Sequence, residues 1–139
     1  MSKHYNLVLF AACYREYIEI VLNMIDPKRE FIVNVLSRDS CTVYNNNFIK
    51  DFRIVGNNNV QKEDLIMLDN KVVSFGYNMF QGVPILPYYN DESDTELRDI
   101  IPFLTFLSTA KDIKHELKQR YRYLYDRTSL LTFNKAGTD

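Results

Sequence analysis

Apolar residues form three continuous runs and three longer periodic stretches along the chain. The continuous runs cover residues 6–12, 31–36 and 65–68. A run without polar alternation is typical of a strand that is buried on both faces, so these runs predict a mainly parallel sheet.

Apolar spacing of three and four residues predicts three helices. The first covers residues 14–25 and ends at Asp26, because Pro27 follows. Its predicted apolar face consists of Tyr14, Ile18, Val21, Leu22 and Ile25. The second opens at Ser93 in a capping box of S-x-x-E form, and Pro102 predicts a kink or break within it. The third covers residues 112–125. Strands that alternate with helices predict an α/β fold.

Shorter segments connect these elements. Residues 42–44 and 48–50 flank three asparagines, which favour the left-handed turn of a small hairpin. Pro84 cannot donate to a central ladder, so residues 82–87 predict an edge strand. The remaining predictions are a loop at residues 55–59, a helical turn at 60–63 and a turn or short helix at 72–75.

Length and charge exclude several classes of protein. The 139 residues fit one domain, and the net charge of -1 argues against a direct nucleic-acid partner. Two cysteines form neither a disulfide framework nor a zinc pattern, so reduced thiols and a nuclear or cytoplasmic location are expected. We found no apolar stretch of membrane length, and no membrane partner is expected.

Asp69 and Asn70 follow the apolar run 65–68 directly. Ligands of open α/β sheets bind beyond the carboxyl ends of the strands, where these two side chains would offer oxygen ligands to Mg²⁺. The alternative interpretation is a plain Asp-Asn turn after a strand.

An ordered set of segments resembles one family. The set resembles the FCP1-homology, or NLI-interacting-factor, branch of the small C-terminal-domain phosphatases in the haloacid dehalogenase superfamily. The resemblance runs from about Tyr5 to Tyr125 and implies a haloacid-dehalogenase-like (Rossmannoid) α/β sheet with flanking helices and a hairpin insertion. The matching segments are FAACYREY at residues 10–17, LSRDSC at 36–41, NFIKDF at 47–52, LDN at 68–70, GVPI at 82–85 and DTELRDIIPFL at 94–104.

The resemblance implies a Mg²⁺-dependent hydrolase of phosphoserine in proteins, of the RNA polymerase II C-terminal-domain type. An aspartate nucleophile attacks the phosphoryl group, and Mg²⁺ shields the transferred charge. Lys50 would hold the phosphoryl oxygens and neutralise the nucleophile. Asn70 and Asp69 would bind the metal. Arg38 would orient the phosphopeptide, and Ala11 would contribute only its backbone.

Three departures from the family pattern set the expected activity. The "DLDETL" segment with its two catalytic aspartates is not found in these residues. Ala11 occupies the position of a phosphate-binding threonine, and Lys71-Val72 replaces Ser-Pro beside the predicted metal ligands. Without the nucleophile the covalent route is lost. The resemblance therefore implies an inactive chain that binds Mg²⁺ weakly or not at all.

Three hypotheses follow from these departures. The first is a phosphatase whose catalytic N-terminal segment is missing, so that residues 1–139 form a single, N-terminally incomplete domain. The second is a pseudophosphatase, a module that binds a phosphoprotein or another protein partner, which Ala11 and Lys71 favour. The third, more distant hypothesis is the related mitochondrial import-receptor domain.

The resemblance also implies a gap in the sheet. The missing segment would supply the central strand between residues 7–11 and 65–68. Unpaired buried backbone groups cost about 1–3 kcal/mol each, so the gap is expected to be filled. Either the two strands pair directly, or residues 1–5 fold in, or another chain donates a strand. We expect the last outcome, with self-association into a homo-oligomer through exposed strand edges.

Overall fold

Short strands and helices alternate along residues 1–55 and 60–124, which are the residues that the computed structural model describes. The α/β class predicted from the sequence is confirmed, with parallel and antiparallel strand pairs and helices. The strands are β1 (Leu7–Phe10), β2 (Ile32–Leu36), β3 (Thr42–Tyr44), β4 (Asn47–Ile49), β5 (Met67–Asp69) and β6 (Gly82–Pro84), and the α-helices are α1 (Arg15–Ile25), α2 (Glu96–Asp99), α3 (Ile101–Leu107) and α4 (Ile113–Arg120).

The first half is a strand–helix–strand unit. β1 pairs with β2 in parallel, and α1 makes the crossover between them. α1 buries Ile18 and Leu22, which lie one turn apart on the same face. The predicted apolar face was too wide, because Tyr14 and Ile25 are 65% and 56% exposed.

Asp26 organises the connection from α1 to β2. Its backbone N–H donates to the carbonyl of Leu22, which ends the helix. Its buried carboxylate accepts the backbone N–H groups of Glu30, Phe31 and Ile32, so three donors at the entry of β2 are satisfied by one side chain. The predicted helix end at Asp26 is therefore confirmed.

The predicted hairpin is also confirmed. β3 and β4 are antiparallel, and the two-residue loop between them consists of Asn45 and Asn46. Both asparagines have positive φ, 46° and 59°. This is the backbone conformation that a tight hairpin loop requires, and asparagine tolerates it better than most residues do.

The second half buries most of the core. β5 and β6 are parallel, and Gly82 of β6 pairs with Met67. A Cβ atom on Gly82 would lie 2.3 Å from the ring of Phe75, so glycine is required there. The main cluster combines β6 with α3 and α4 and contains the buried residues Val83, Ile100, Leu104, Leu107, Leu117 and Tyr121.

The predicted break at Pro102 is confirmed, but the capping box is not. Ile100 separates α2 from α3, and Pro102 lies in the first turn of α3, where its missing N–H costs nothing. In a capping box the Ser93 oxygen would accept the backbone N–H of Glu96, but this N–H donates to Asp94 Oδ1, and the helix begins only at Glu96. A nearer side-chain acceptor therefore replaces the predicted cap. The helix predicted for residues 112–125 is α4, and Tyr125 lies outside the described residues.

The expected gap in the sheet is present. Among the described residues, β1 pairs only with β2 and β5 pairs only with β6. A cavity of about 400 Å³ lies between β1 and β5. Residues 1–5 do not form a strand in it, because the N–H groups of His4 and Tyr5 both donate to the carbonyl of Met1 in a turn. Direct pairing and insertion of residues 1–5 are therefore both wrong for this structure.

Candidate functional site

Lys50 and Asp69 form a buried ion pair at one edge of the fold. Lys50 follows β4, and its backbone N–H donates to the carbonyl of Ser74, which fixes where the side chain starts. The Lys50 Nζ donates to Asp69 Oδ2 at 2.5 Å, and the two side chains are 11% and 7% exposed. Asp69 is the last residue of β5, so the pair lies at a strand's carboxyl end.

Both carboxylate oxygens of Asp69 are engaged. Oδ2 accepts from Lys50, and Oδ1 accepts the backbone N–H of Lys71 at 2.8 Å. The second bond closes the turn that follows β5, as an Asp at a strand end commonly does. Asp69 is thus a positioned hydrogen-bond acceptor that holds the ammonium group of Lys50 in place.

A polar cavity of about 260 Å³ opens at this pair. Its walls come from the end of β1, the tip of the hairpin and the segment after β5. Two lysines and one aspartate line it, which leaves one positive charge in excess and favours an anionic ligand. The lining residues include Ala12, Cys13, Asn46, Asn47, Phe48, Lys50, Asp69, Lys71 and Ser74. We refer to this site as the lysine cavity.

Arg38 lies beside the lysine cavity but is held by the protein itself. Its guanidinium carbon lies 4.4 Å from the ring centroid of Tyr14 and 4.9 Å from that of Phe48. Its Nε donates to the carbonyl of Ala12. Stacking between two aromatic rings is a geometry that arginine favours. Arg38 therefore fixes one wall of the cavity, and the predicted role in orienting a phosphopeptide stays a prediction.

The predicted backbone contribution of Ala11 does not fit the structure. The N–H of Ala11 donates to the carbonyl of Leu36 at 2.9 Å, which continues the ladder between β1 and β2. This donor is therefore not free for a phosphate oxygen. From the same strand end, Ala12 and Cys13 line the cavity instead.

The arrangement of Asp69 and Asn70 does not make a closed metal site. Asn70 is exposed and is not among the residues that line the lysine cavity. In the described part of the chain there is no group of three or more His, Cys, Asp or Glu side chains that could hold a metal ion. Because Lys50 and Lys71 already occupy the oxygens of Asp69, these residues do not fit a magnesium ion.

Cys41 lies within the electrostatic reach of the same groups. Burial raises the pKa of the Cys41 thiol, and the positive charges of Lys50 and Arg38 lower it by less. The thiol is therefore protonated at neutral pH, and a protonated thiol is a poor nucleophile.

Sequence reasoning missed the aromatic clamp on Arg38. Tyr14 was expected on the apolar face of α1, yet its ring is exposed and stacks on the guanidinium group. Ser74 was also missed, although it is buried and lines the cavity. Neither residue carries a local signal, because the contact of Tyr14 with Arg38 and the place of Ser74 in the cavity wall both depend on tertiary packing.

Comparison with known proteins gives the family. The pattern of the NLI interacting factor-like phosphatases matches residues 1–114, which is most of the chain. The chain belongs to this family. The resemblance inferred from the short segments is thereby confirmed.

Several curated relatives agree. "CTD small phosphatase-like protein 2" of Dictyostelium discoideum is 32% identical over 122 residues, covering 88% of this chain and 21% of the relative. "CTD small phosphatase-like protein 3" of Caenorhabditis elegans is 31% identical, covering 88% and 42%. The human "Carboxy-terminal domain RNA polymerase II polypeptide A small phosphatase 1" is 30% identical, covering 86% and 44%. The chain thus spans less than half the length of these relatives.

In the described ranges, no helix has the length and apolar character needed to cross a membrane.

Proposed function

We propose that the lysine cavity binds the phosphate group of a phosphorylated serine or threonine in a protein partner. The observation that supports this proposal is the buried Lys50 ammonium, which Asp69 holds in the wall of a cavity with excess positive charge. An ammonium group has three donors, and one of them is used by Asp69. Two donors of Lys50 therefore remain to bind phosphate oxygens, while Lys71 adds a second charge at the cavity wall.

We propose further that these residues bind the phosphate group but do not hydrolyse it. Hydrolysis in this family pattern needs a carboxylate nucleophile that is free to attack, and Asp69 is engaged by two donors. Cys41 is protonated, since burial raises its pKa. We derive no step through Mg²⁺, because the described donor set does not fit the ion.

The finer parts of this proposal extend the family assignment. We propose a haloacid-dehalogenase-like sheet, because the two parallel pairs β1–β2 and β5–β6 both reach the lysine cavity with their carboxyl ends. A phosphoserine peptide is the proposed ligand, since one relative is named for the carboxy-terminal domain of an RNA polymerase II polypeptide. That relationship also makes the nucleus the proposed location.

A binding titration tests the main proposal. A phosphoserine peptide should bind the 139-residue chain, and the same peptide without phosphate should not. Inorganic phosphate should bind with a dissociation constant of about 1 mM, which corresponds to about -4 kcal/mol. Lys50→Met should abolish both interactions, whereas Lys28→Met should change neither, because Lys28 is exposed and does not line the cavity. Equal binding of the two peptides would overturn the proposal.

An activity assay tests the second part. With an aryl phosphate and Mg²⁺, the purified chain should release phosphate no faster than buffer. Turnover that disappears in Asp69→Asn would show that Asp69 is a nucleophile and that hydrolysis is a property of these residues.

The first candidate is the phosphate-binding part of a phosphatase, and the second candidate is a pseudophosphatase, which binds phosphoproteins as its whole function. Lys71 favours it, because the Lys71 N–H is bonded to Asp69 and the residue lines the cavity where the family pattern has serine. The double variant Ala11→Thr and Lys71→Ser should then weaken phosphopeptide binding. Stronger binding in this variant would argue against a specialised binding module.

A further inference from the structure

Ser74 is a buried residue in the wall of the lysine cavity. It is 3% exposed and lies in the short 3₁₀-helix Val72–Phe75, which follows Lys71. Serine is mostly an exposed residue in folded proteins, so a serine at this depth calls for a physical reason. Such a reason is a hydrogen bond of the hydroxyl group, made either to the protein or to a ligand.

The backbone of Ser74 is fixed by both lysines of the cavity. Its N–H donates to the carbonyl of Lys71 at 2.9 Å, and its carbonyl accepts the backbone N–H of Lys50 at 3.0 Å. These two bonds determine where the side chain of Ser74 starts. Because the N–H is already engaged, the hydroxyl is the donor that Ser74 can offer to a ligand.

Hydroxyl groups in and just after α3 behave differently. Thr105, Ser108 and Thr109 each donate to a carbonyl three or four residues earlier in the chain. Serine and threonine commonly satisfy their hydroxyl groups in this way within helical segments. The hydroxyl of Ser74 does not do so, and it makes no hydrogen bond to any of the described residues.

A buried hydroxyl group without a hydrogen-bond partner is unfavourable, and such groups usually bind the protein, water or a ligand. The cavity around Ser74 carries an excess positive charge from Lys50 and Lys71. The carboxylate of Asp69 is already engaged by two donors, so it does not compete for the hydroxyl proton. An anion drawn in by the lysines would therefore meet a free neutral donor in the same wall.

We infer that the Ser74 hydroxyl donates a hydrogen bond to an oxygen of the phosphate group in the lysine cavity, beside the free donors of Lys50. This inference rests on the proposed function of the cavity. A phosphate monoester has three non-bridging oxygens that can each accept such a bond, and a donor to a charged acceptor binds more strongly than a donor to a neutral one. The end of β1 offers no hydroxyl for this purpose, because Ala12 and Cys13 line the cavity there.

A titration with inorganic phosphate at constant ionic strength, followed by NMR, tests this inference. Ser74→Ala should weaken phosphate binding about tenfold, as expected for the loss of one hydrogen bond to a charged group. Ser37→Ala is the matched control, because Ser37 is also buried, at 8% exposure, but does not line the cavity. The control variant should bind phosphate with the affinity of the wild type.

Thermal melts without phosphate separate a binding role from a structural one. Replacing a buried hydroxyl that has no partner by a methyl group is neutral or stabilising, so Ser74→Ala should melt at or above the wild-type temperature. Phosphate should then raise the melting temperature of Ser74→Ala less than that of the wild type. An unchanged phosphate affinity, or a melting temperature below that of Ser37→Ala, would overturn the inference.

Lys50→Met distinguishes a failure of this inference from a failure of the proposed function. If the wild type binds phosphate no better than Lys50→Met, the lysine cavity is not a phosphate site, and both proposals are wrong. If Lys50→Met abolishes binding while Ser74→Ala binds like the wild type, the proposed function stands and only the role of Ser74 is wrong.

Discussion

Two buried aspartates, Asp26 at the end of α1 and Asp69 at the end of β5, satisfy their carboxylate oxygens in different ways. Asp26 precedes β2 and accepts hydrogen bonds from three backbone N–H groups, so its carboxylate holds the connection between α1 and β2 in place. Asp69 ends β5 and accepts one backbone N–H and the ammonium of Lys50. The difference lies in the donors. Backbone amides are neutral, whereas the Lys50 ammonium carries a full positive charge.

The comparison separates a structural carboxylate from a site carboxylate. Asp26 lines neither of the two cavities described above, and three backbone N–H groups of its own loop bind its oxygens. Asp69 lines the lysine cavity, and its partner Lys50 lines both the lysine cavity and the cavity between β1 and β5. Burial alone therefore does not mark a functional acid, but a charged partner that faces a cavity does.

The largest effect should come from breaking the ion pair. Asp69→Leu leaves the Lys50 ammonium buried without a counter-charge, and we expect it to lower the free energy of unfolding by about 3–5 kcal/mol. The double variant Lys50→Met with Asp69→Leu should recover most of this loss, which urea unfolding would measure. A double variant no more stable than Asp69→Leu would mean that packing, and not charge, sets the cost.

The next effect concerns β6, which pairs with the strand that carries Asp69. Gly82→Ala places a Cβ atom 2.3 Å from the ring of Phe75, and overpacking of this kind costs about 1–3 kcal/mol. Gly76→Ala is the matched control, because its Cβ would meet the Ile49 side chain at 3.1 Å and the carbonyl oxygen of Val73 at 3.4 Å, both farther than the Phe75 ring is from a Cβ on Gly82. Equal losses in the two variants would show that β6 adapts freely around Phe75.

A smaller effect is expected at the structural carboxylate. Asp26→Asn removes one acceptor from the three amides at the entry of β2 and replaces it with an N–H donor. The variant should melt at a lower temperature than the wild type but bind inorganic phosphate with unchanged affinity. A change in phosphate affinity would show that the two aspartates are coupled across the fold.

The smallest effect should appear on acidification. Burial acts to raise the pKa of Asp26, but the N–H groups of Ile32, Phe31 and Glu30 bring it below the usual value of 3.8. Burial also acts to raise the pKa of Asp51, but the side-chain hydrogen bond from Arg53 helps to bring this pKa below its usual value. A carboxyl group whose pKa is lower in the folded state than in the unfolded state stabilises the fold at pH values above its unfolded-state pKa. This contribution is lost as the pH falls through the folded-state pKa.

Thermal melts across the acidic range measure this dependence. The contribution of these two groups to the melting temperature should be constant above about pH 5 and should decrease progressively below about pH 4. Asp26→Asn should reduce the slope of that decrease. A slope that is the same in the variant and the wild type would assign the acid sensitivity to other carboxylates.

Local patterns predicted the elements well, because their causes lie within a few residues. The Asn45-Asn46 loop, the end of α1 at Asp26 and the break before Pro102 each depend on the backbone preference of one or two residues. The capping box at Ser93 does not form for an equally local reason, since a nearer acceptor, Asp94, binds the backbone N–H of Glu96.

The candidate site was predicted in part. The family resemblance named Lys50 and Asp69 separately as site residues, and the structure brings them together although 19 residues separate them. The engaged N–H of Ala11 and the aromatic clamp on Arg38 were not predictable, because both depend on the register between β1 and β2 and on the packing of α1. Self-association through the strand edges stays a prediction.

The hydroxyl of Tyr5 donates to the carbonyl of Leu104, a bond between residues 99 positions apart. This bond closes nearly the whole described chain into a loop, and the chain must lose the conformational entropy of that closure before the bond can form. It should therefore be made late in folding, after the transition state. Tyr5→Phe would then speed unfolding and leave the folding rate almost unchanged, so this bond governs how long the native state survives once it has formed.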